Sequence, residues 1–385
     1  MTRPFRRITL YLQGFDPFPA RRYREIYRRE AAAQTAISGY VLAIAGDGAT
    51  AWRTRAEFSE GTAEGRIEVL VWHDLVRDSM RRGILATYLQ LARTAWAYLA
   101  SGALPRMMRL RRGPVLAGLY PAAMLVAQLL IALALAAWAA RTLPGWAGSA
   151  AGIAVAAAVL ALFRWADRWF YAYYLMHDYA FAAQHGGAYP PALEALLARF
   201  ADRLAEALAD DADEVLLIGH SSGAYLAVST MADLIRAGRV PANGPALALL
   251  TLGQVVPMVS FLPRADRLRG DLAFLSEQPG IFWLDVSAPG DACCFALCDP
   301  VAVSGAAGPG QRWPLTISAA FSRRLSPERL RAMRHRWLRR HFQYLHAFDR
   351  PGDYDYFAIT AGPLTLAQRF AARAPSPGLI RGAAP

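Results

Sequence analysis

The sequence predicts an α/β domain: a mostly parallel sheet covered by helices on both faces, interrupted by a two-helix transmembrane insertion. Three observations lead to this reading. Short apolar runs alternate with helix-length stretches along the chain. Two long segments near the middle carry no charge. One apolar run, residues 215–218, ends in Gly219-His220-Ser221-Ser222-Gly223 and is followed at once by a sequence that can continue as a helix.

In chain order, residues 8–13 alternate loosely as a strand and run into the turn Gly14-Phe15-Asp16-Pro17. Residues 20–36 read as a basic amphipathic helix. Residues 40–45 read as a strand closed by Gly46-Asp47-Gly48, and residues 67–72 as another strand ending at His73-Asp74. Between 80 and 100, Ile84, Leu85, Tyr88, Leu89, Leu91, Ala92, Trp96 and Leu99 recur at helical spacing, with Arg81, Arg82 and Arg93 on the basic side. Such a helix either lies in a membrane interface or packs on the sheet. Residues 164–183 read as a helix rich in Trp and Tyr, and residues 193–208 as a helix preceded by Pro190-Pro191. Further strands are expected at 246–252 and 281–286. A strongly basic helix is expected at 329–340, opened by Ser326 as cap and Pro327 at the first helical position.

Residues 113–140 contain no charge, and after Arg141 the uncharged character holds from 142 to 163. At 1.5 Å per residue these segments span about 42 and 33 Å, enough for a hydrocarbon core of ~30 Å. Pro144-Gly145 supplies the turn between them, so the predicted object is a helical hairpin. Arg106, Arg109, Arg111 and Arg112 precede it and Arg164 and Arg168 follow it, while Arg141 alone lies at its tip. The positive-inside rule then places both outer ends, and the rest of the chain, on the cytoplasmic side of an inner membrane. No signal peptide is expected, because the short apolar run at 8–12 is followed by Gly14, Asp16 and two prolines. The organisation that results is 1–79 as the first part of the α/β domain, 80–112 as an amphipathic basic segment, and 113–168 as the hairpin. Residues 169–373 form the second part of the domain, and 374–385 a disordered Pro/Gly-rich tail.

The formal net charge is +12, and all 42 basic residues are arginine. Beside membrane spans, an anionic leaflet is the simplest partner for that charge. No zinc-finger, helix-turn-helix or RNA-binding aromatic signature accompanies it, so no nucleic acid is expected as a partner. Cys293, Cys294 and Cys298 lie close together, but no nearby histidine completes a set of four ligands; they read as small buried residues, and no metal or cofactor is expected.

The stretch Gly219 to Gly223 carries the chemistry. A sharp strand-to-helix turn lifts Ser221 above the sheet edge, the glycines let neighbouring backbone approach, and the helix N-terminus points unpaired N–H groups toward a developing oxyanion. With Gly14-Phe15-Asp16-Pro17 as a weaker second motif, the chain resembles the α/β-hydrolase superfamily, in particular its lipase- and esterase-like members. The resemblance covers the N-terminal strand region and most of 215–357, not the hairpin. It implies an acyl-enzyme mechanism with a triad in the order serine, acid, histidine. Ser221 is then the nucleophile. The acid candidates are Asp291, in the loop after strand 281–286, and its alternatives Asp285 and Asp299. The base candidates are His341 and, second, His346; His335 stands between Arg334 and Arg336, where nearby cations oppose protonation. The oxyanion donors implied are the backbone N–H groups of Ser222 and Phe15, where many lipases carry a glycine run instead. Asp74 is a further candidate at the same edge. The activity implied is hydrolysis of a carboxylic ester or thioester, lipid-like in view of the hairpin, with membrane lipids as partners. Acyl transfer is a close variant, and a non-catalytic membrane scaffold on a degenerate hydrolase fold is the alternative.

Overall fold

The computed structural model describes residues 3–80 and 83–382. Eight strands form one sheet: β1 (Phe5–Leu12), β2 (Val41–Asp47), β3 (Ala51–Phe58), β4 (Gly61–Val69), β5 (Glu214–His220), β6 (Ala246–Leu252), β7 (Ile281–Ser287) and β8 (Leu315–Ser318). Their order is β2-β3-β4-β1-β5-β6-β7-β8. From β4 to β8 every pairing is parallel, and β2 and β3 add an antiparallel edge. The expectation of a mostly parallel α/β sheet is met. Strands β3 and β8 are additions; in β3, Trp52, Thr54 and Ala56 face inward and Arg53, Arg55 and Glu57 outward, the period-two alternation of a half-covered strand.

The central strands are buried on both faces, and their side chains divide between two cores. Leu10, Val215, Leu217, Leu247 and Leu249 pack under the helices Pro191–Ala209, Ser222–Arg236 and Asp266–Ser276. Tyr11, Leu216, Ile218, Ala248 and Leu250 pack against Ala20–Ser38 and Tyr356–Ala361 on the opposite face. Such continuously apolar strands are what a parallel sheet covered twice requires.

The chain leaves β1 toward β2, β3 and β4 on one side and leaves β5 for β6 on the other. The connections therefore diverge between β1 and β5, beyond whose C-terminal ends sheets of this kind form their ligand crevice. One buried ion pair holds this seam. Arg7 of β1 meets Glu214 of β5 at 2.6 Å, with both side chains almost fully enclosed. The guanidinium also donates to the carbonyls of Gly362 and Leu364, and the carboxylate accepts from the Leu366 N–H at 2.6 Å.

Two helices, Arg112–Ala140 and Gly145–Trp165, are long and apolar enough to cross a membrane, and both are largely exposed along their length. They pack against each other as a hairpin. The stretch expected as one helix at 164–183 is broken: Tyr171 takes a left-handed conformation (φ 55°), and the chain restarts as the helix Ala172–Ala183. The stretch expected at 80–100 becomes Ile84–Ala100, preceded by a separate helix His73–Met80; Arg81 and Arg82 lie outside the described residues. Ile84–Ala100 packs chiefly on Ala172–Ala183 rather than on the sheet. The basic helix expected at 329–340 is also divided, into Pro327–Ala332 and Trp337–His341. The turn between them buries Met333. Its cap is as expected, Ser326 Oγ accepting from the Arg329 N–H at 3.2 Å. The tail expected to be disordered from 374 instead docks through residue 380. The Ser376 N–H donates to Thr316 O, and Ile380 exchanges backbone hydrogen bonds with Leu297 and Asp299.

Removing the charge of Glu214 leaves Arg7 buried without its counter-ion. Glu214→Gln is expected to lower stability by about 3–5 kcal/mol, read as a shift in the denaturation midpoint of the detergent-solubilised protein.

Candidate active site

Ser221 stands directly after β5 with φ 57° and ψ −122°, a conformation that only close surroundings impose on a residue with a side chain. Its N–H donates to Leu252 O at 2.9 Å, which ties the turn to the end of β6. The two motif glycines are sterically required. A Cβ on Gly219 would lie 2.4 Å from Gly223 O and 2.6 Å from Ala224 Cα, and one on Gly223 would lie 2.3 Å from Leu12 O. Gly14 faces the serine: its Cβ would meet Ser221 Cβ at 3.0 Å and come within 3.5 Å of Ser221 Oγ. The loop after β1 and the turn after β5 thus touch at the crevice.

Phe15 and Ser222 have backbone N–H groups that make no hydrogen bond within the protein among the described residues. The loop that presents Phe15 is braced from several sides. Gln13 Nε2 donates to Asp16 O (2.8 Å), Trp72 Nε1 to Gln13 O (3.0 Å), Tyr23 Oη to Asp16 Oδ2 (2.7 Å) and Tyr174 Oη to Phe15 O. The Phe15 ring is boxed by Trp72 and Phe181. At the end of β4, Trp72 is therefore the residue that joins the site. Asp74 is exposed and turned toward His73 and Arg77.

His341 and Asp291, fifty positions apart, are brought together. The His341 Nδ1–H donates to Asp291 Oδ2 at 2.7 Å, and both are buried. Asp291 also accepts from Tyr344 Oη (3.0 Å) and from the Cys293 N–H (2.9 Å). Burial opposes its charge, but the imidazole and these donors outweigh burial and hold its carboxyl below the usual aspartate range. His341 Nε2 is buried and has no hydrogen-bond partner. The ring lies over Gly253, whose Cβ would be 3.1 Å from His341 Cε1, and Gly253 directly follows the residue that accepts from Ser221. Serine and histidine therefore both abut the Leu252-Gly253 backbone.

His220, next to Ser221, packs tilted against the His341 ring at 4.8 Å between centroids, and its Nε2–H donates to His341 O at 3.1 Å. Burial above all, helped by the neighbouring imidazole, pushes it down to about 3, so it stays neutral. The other candidates are placed elsewhere. Asp285 sits inside β7 and accepts from Thr251 Oγ1 at 2.7 Å. Asp299 caps the turn Pro300–Val303. His346 faces Phe342 O and Glu30, and His335 is exposed. Asp291, Cys293 and His341 offer donor atoms within 4.8 Å of one another. However, Asp291 Oδ2 already holds His341 Nδ1, and burial raises the Cys293 thiol and keeps it neutral. The three cysteines are free, with Cys294 and Cys298 buried and Cys293 half-buried.

Asp178 is a site residue that sequence reasoning missed. It lies on Ala172–Ala183 and accepts from Ser222 Oγ at 3.3 Å, and burial pushes its carboxyl up to about 7 against the opposing influence of that bond and of His341. No motif marks it; its place follows only from the packing of the helix after the hairpin. The hairpin base touches the remaining parts. Gly113 packs on Ala292, next to Asp291, where an added Cβ would lie 3.3 Å from Ala292 Cα; Arg111 Nε donates to Ala296 O (2.8 Å); and Tyr120 meets the ring of Trp337, four residues before His341.

In comparisons with known proteins, the chain matches no protein-family description, no curated protein and no solved structure.

Asp285 supplies a pH test. Burial pushes it up to about 7, so between about pH 4 and 7 the folded protein holds a proton that the unfolded chain releases, and stability falls as pH rises through that window. Asp285→Asn is expected to stabilise by roughly 2–4 kcal/mol at pH 8. The gain should shrink toward zero as the pH approaches that of an ordinary aspartate, as read from melting curves across pH.

Proposed function

We propose that this chain is a membrane-anchored serine hydrolase of α/β-hydrolase type that cleaves carboxylic esters or thioesters, with Ser221, His341 and Asp291 as its triad and the hairpin as its anchor. The observation that carries the reading is the Asp291–His341 hydrogen bond of 2.7 Å beside a serine held at positive φ, all at the C-terminal edge where the sheet connections diverge.

In this reading Ser221 Oγ forms a bond to the acyl carbon while its proton passes to His341 Nε2. Asp291, kept ionised, holds Nδ1–H and stabilises the imidazolium. The negative charge on the former carbonyl oxygen is met by the N–H groups of Ser222 and Phe15. Collapse breaks the bond to the alkoxide or thiolate, which takes the proton from His341. Water then attacks the acyl-enzyme by the same route, releases the acid and restores the serine. The buried, unpartnered Nε2 suits a base whose proton donor arrives with substrate. A lipid-like substrate is supported by the wall of the site, since the helix carrying Tyr174 and Asp178 is the one that leaves the hairpin.

A fluorophosphonate probe is expected to label the full-length protein in detergent and to lose the label in Ser221→Ala. Turnover of p-nitrophenyl esters of increasing chain length should fall about 10⁴-fold or more in Ser221→Ala and about 10⁴-fold in Asp291→Asn. A folded wild-type protein that neither labels nor turns over any ester overturns the proposal and favours the non-catalytic scaffold.

A further inference from the structure

We propose that the helix Ile84–Ala100 contacts the bilayer through Leu85, Leu89, Trp96 and Leu99, which makes it a third lipid-facing element beside the hairpin; this rests on the reading of the hairpin as membrane-inserted. The helix is inside out for a water-soluble domain. The face turned to the protein carries Thr87, Gln90, Thr94 and Tyr98, all buried. The face turned away carries Leu85, Leu89, Trp96 and Leu99, which are 75%, 51%, 73% and 60% exposed. At 100° per residue these four, with Ala92, fall within an arc of roughly 80°. A surface helix normally shows the opposite arrangement. Leaving four large apolar side chains in water forgoes the gain that burying them would bring. A stripe of this kind marks a surface that is covered by something.

Position and composition identify the cover. Tyr88 Oη donates to Leu125 O at 3.0 Å, so the helix is fastened to the first hairpin helix well inside its uncharged run. It also touches the second hairpin helix. The hairpin helix to which it is fastened itself exposes large apolar side chains, Leu116 and Leu119 among them. Its only charged residue, Arg93, is exposed and stands at the border of the arc, where an arginine can reach the headgroups while its stem stays among acyl chains. A tryptophan and a flanking arginine suit the boundary of a bilayer containing anionic lipid. Tyr98 Oη fixes the other end by donating to Met258 O at 2.9 Å, so the stripe is presented by a helix bonded at both ends.

The test places a photoactivatable diazirine amino acid singly at Leu89, Trp96, Leu130 and Arg53 in the full-length protein, reconstituted in vesicles of phosphatidylcholine and phosphatidylglycerol. Irradiation is expected to give lipid adducts at Leu89 and Trp96 in yields comparable with Leu130 on the hairpin, and none at the exposed Arg53 of β3. Cross-linking of Leu89 or Trp96 to a second copy of the chain, or absence of lipid adducts at both while Leu130 gives them, overturns the proposal. Absence of adducts at Leu130 as well overturns the hairpin reading beneath it.

Discussion

The site depends on one close approach of backbone to backbone. The turn after β5 can sit on the end of β1 only because Gly223 has no Cβ to meet Leu12 O, and it can close on itself only because Gly219 has none to meet Gly223 O. Once the turn is that tight, Ser221 is forced to positive φ and its side chain stands clear of the sheet edge, beside Gly14. The buried Arg7–Glu214 pair holds the same two strands at their other end, so the seam between β1 and β5 is fixed at both extremities. Larger residues at these glycines would have to displace main chain rather than a movable side-chain end.

Burial acts on the acids of this region in opposite directions according to their partners. Asp291 is enclosed but receives an imidazole, a phenol and a backbone N–H, and it keeps its charge. Asp285, equally enclosed, receives one hydroxyl, and its second oxygen has no donor, so its proton is retained up to about 7. Asp178 is likewise pushed up to about 7 by burial, against the opposing pull of Ser222 and His341. Environments that separate the proton affinities of chemically identical groups are how a fold divides acid and base roles among them.

Much of this was legible in the sequence where a local rule decides the outcome. The strand–Gly-x-Ser-x-Gly–helix turn is such a case, as are the uncharged hairpin and the Ser326-Pro327 helix start. The pairing of Asp291 with His341 was narrowed by chain order but not decided, because three aspartates and two histidines satisfied that order; only the division of the basic helix near Met333 and the reach of the β7 loop choose among them. Strand β3 was hidden by its arginines, which read as surface until the alternation with Trp52, Thr54 and Ala56 is counted. Asp178 had no local signal, and the apolar spacing of Ile84–Ala100 left open which way its stripe would face, since both are decided by how distant helices pack.

The two apolar helices and the helix Ala172–Ala183 that follows them touch several parts of the candidate site. Gly113 lies against the loop of the acid and Tyr120 against the segment that leads to the histidine. The helix that leaves the hairpin holds Phe15 O through Tyr174 and Ser222 Oγ through Asp178. The pair is therefore not a detachable tether. Excising 113–168 to obtain a water-soluble form would remove Gly113 and Tyr120 from the segments that carry Asp291 and His341 and cut the chain just before the helix that bears Tyr174 and Asp178, so purification strategy and site integrity are linked in this fold.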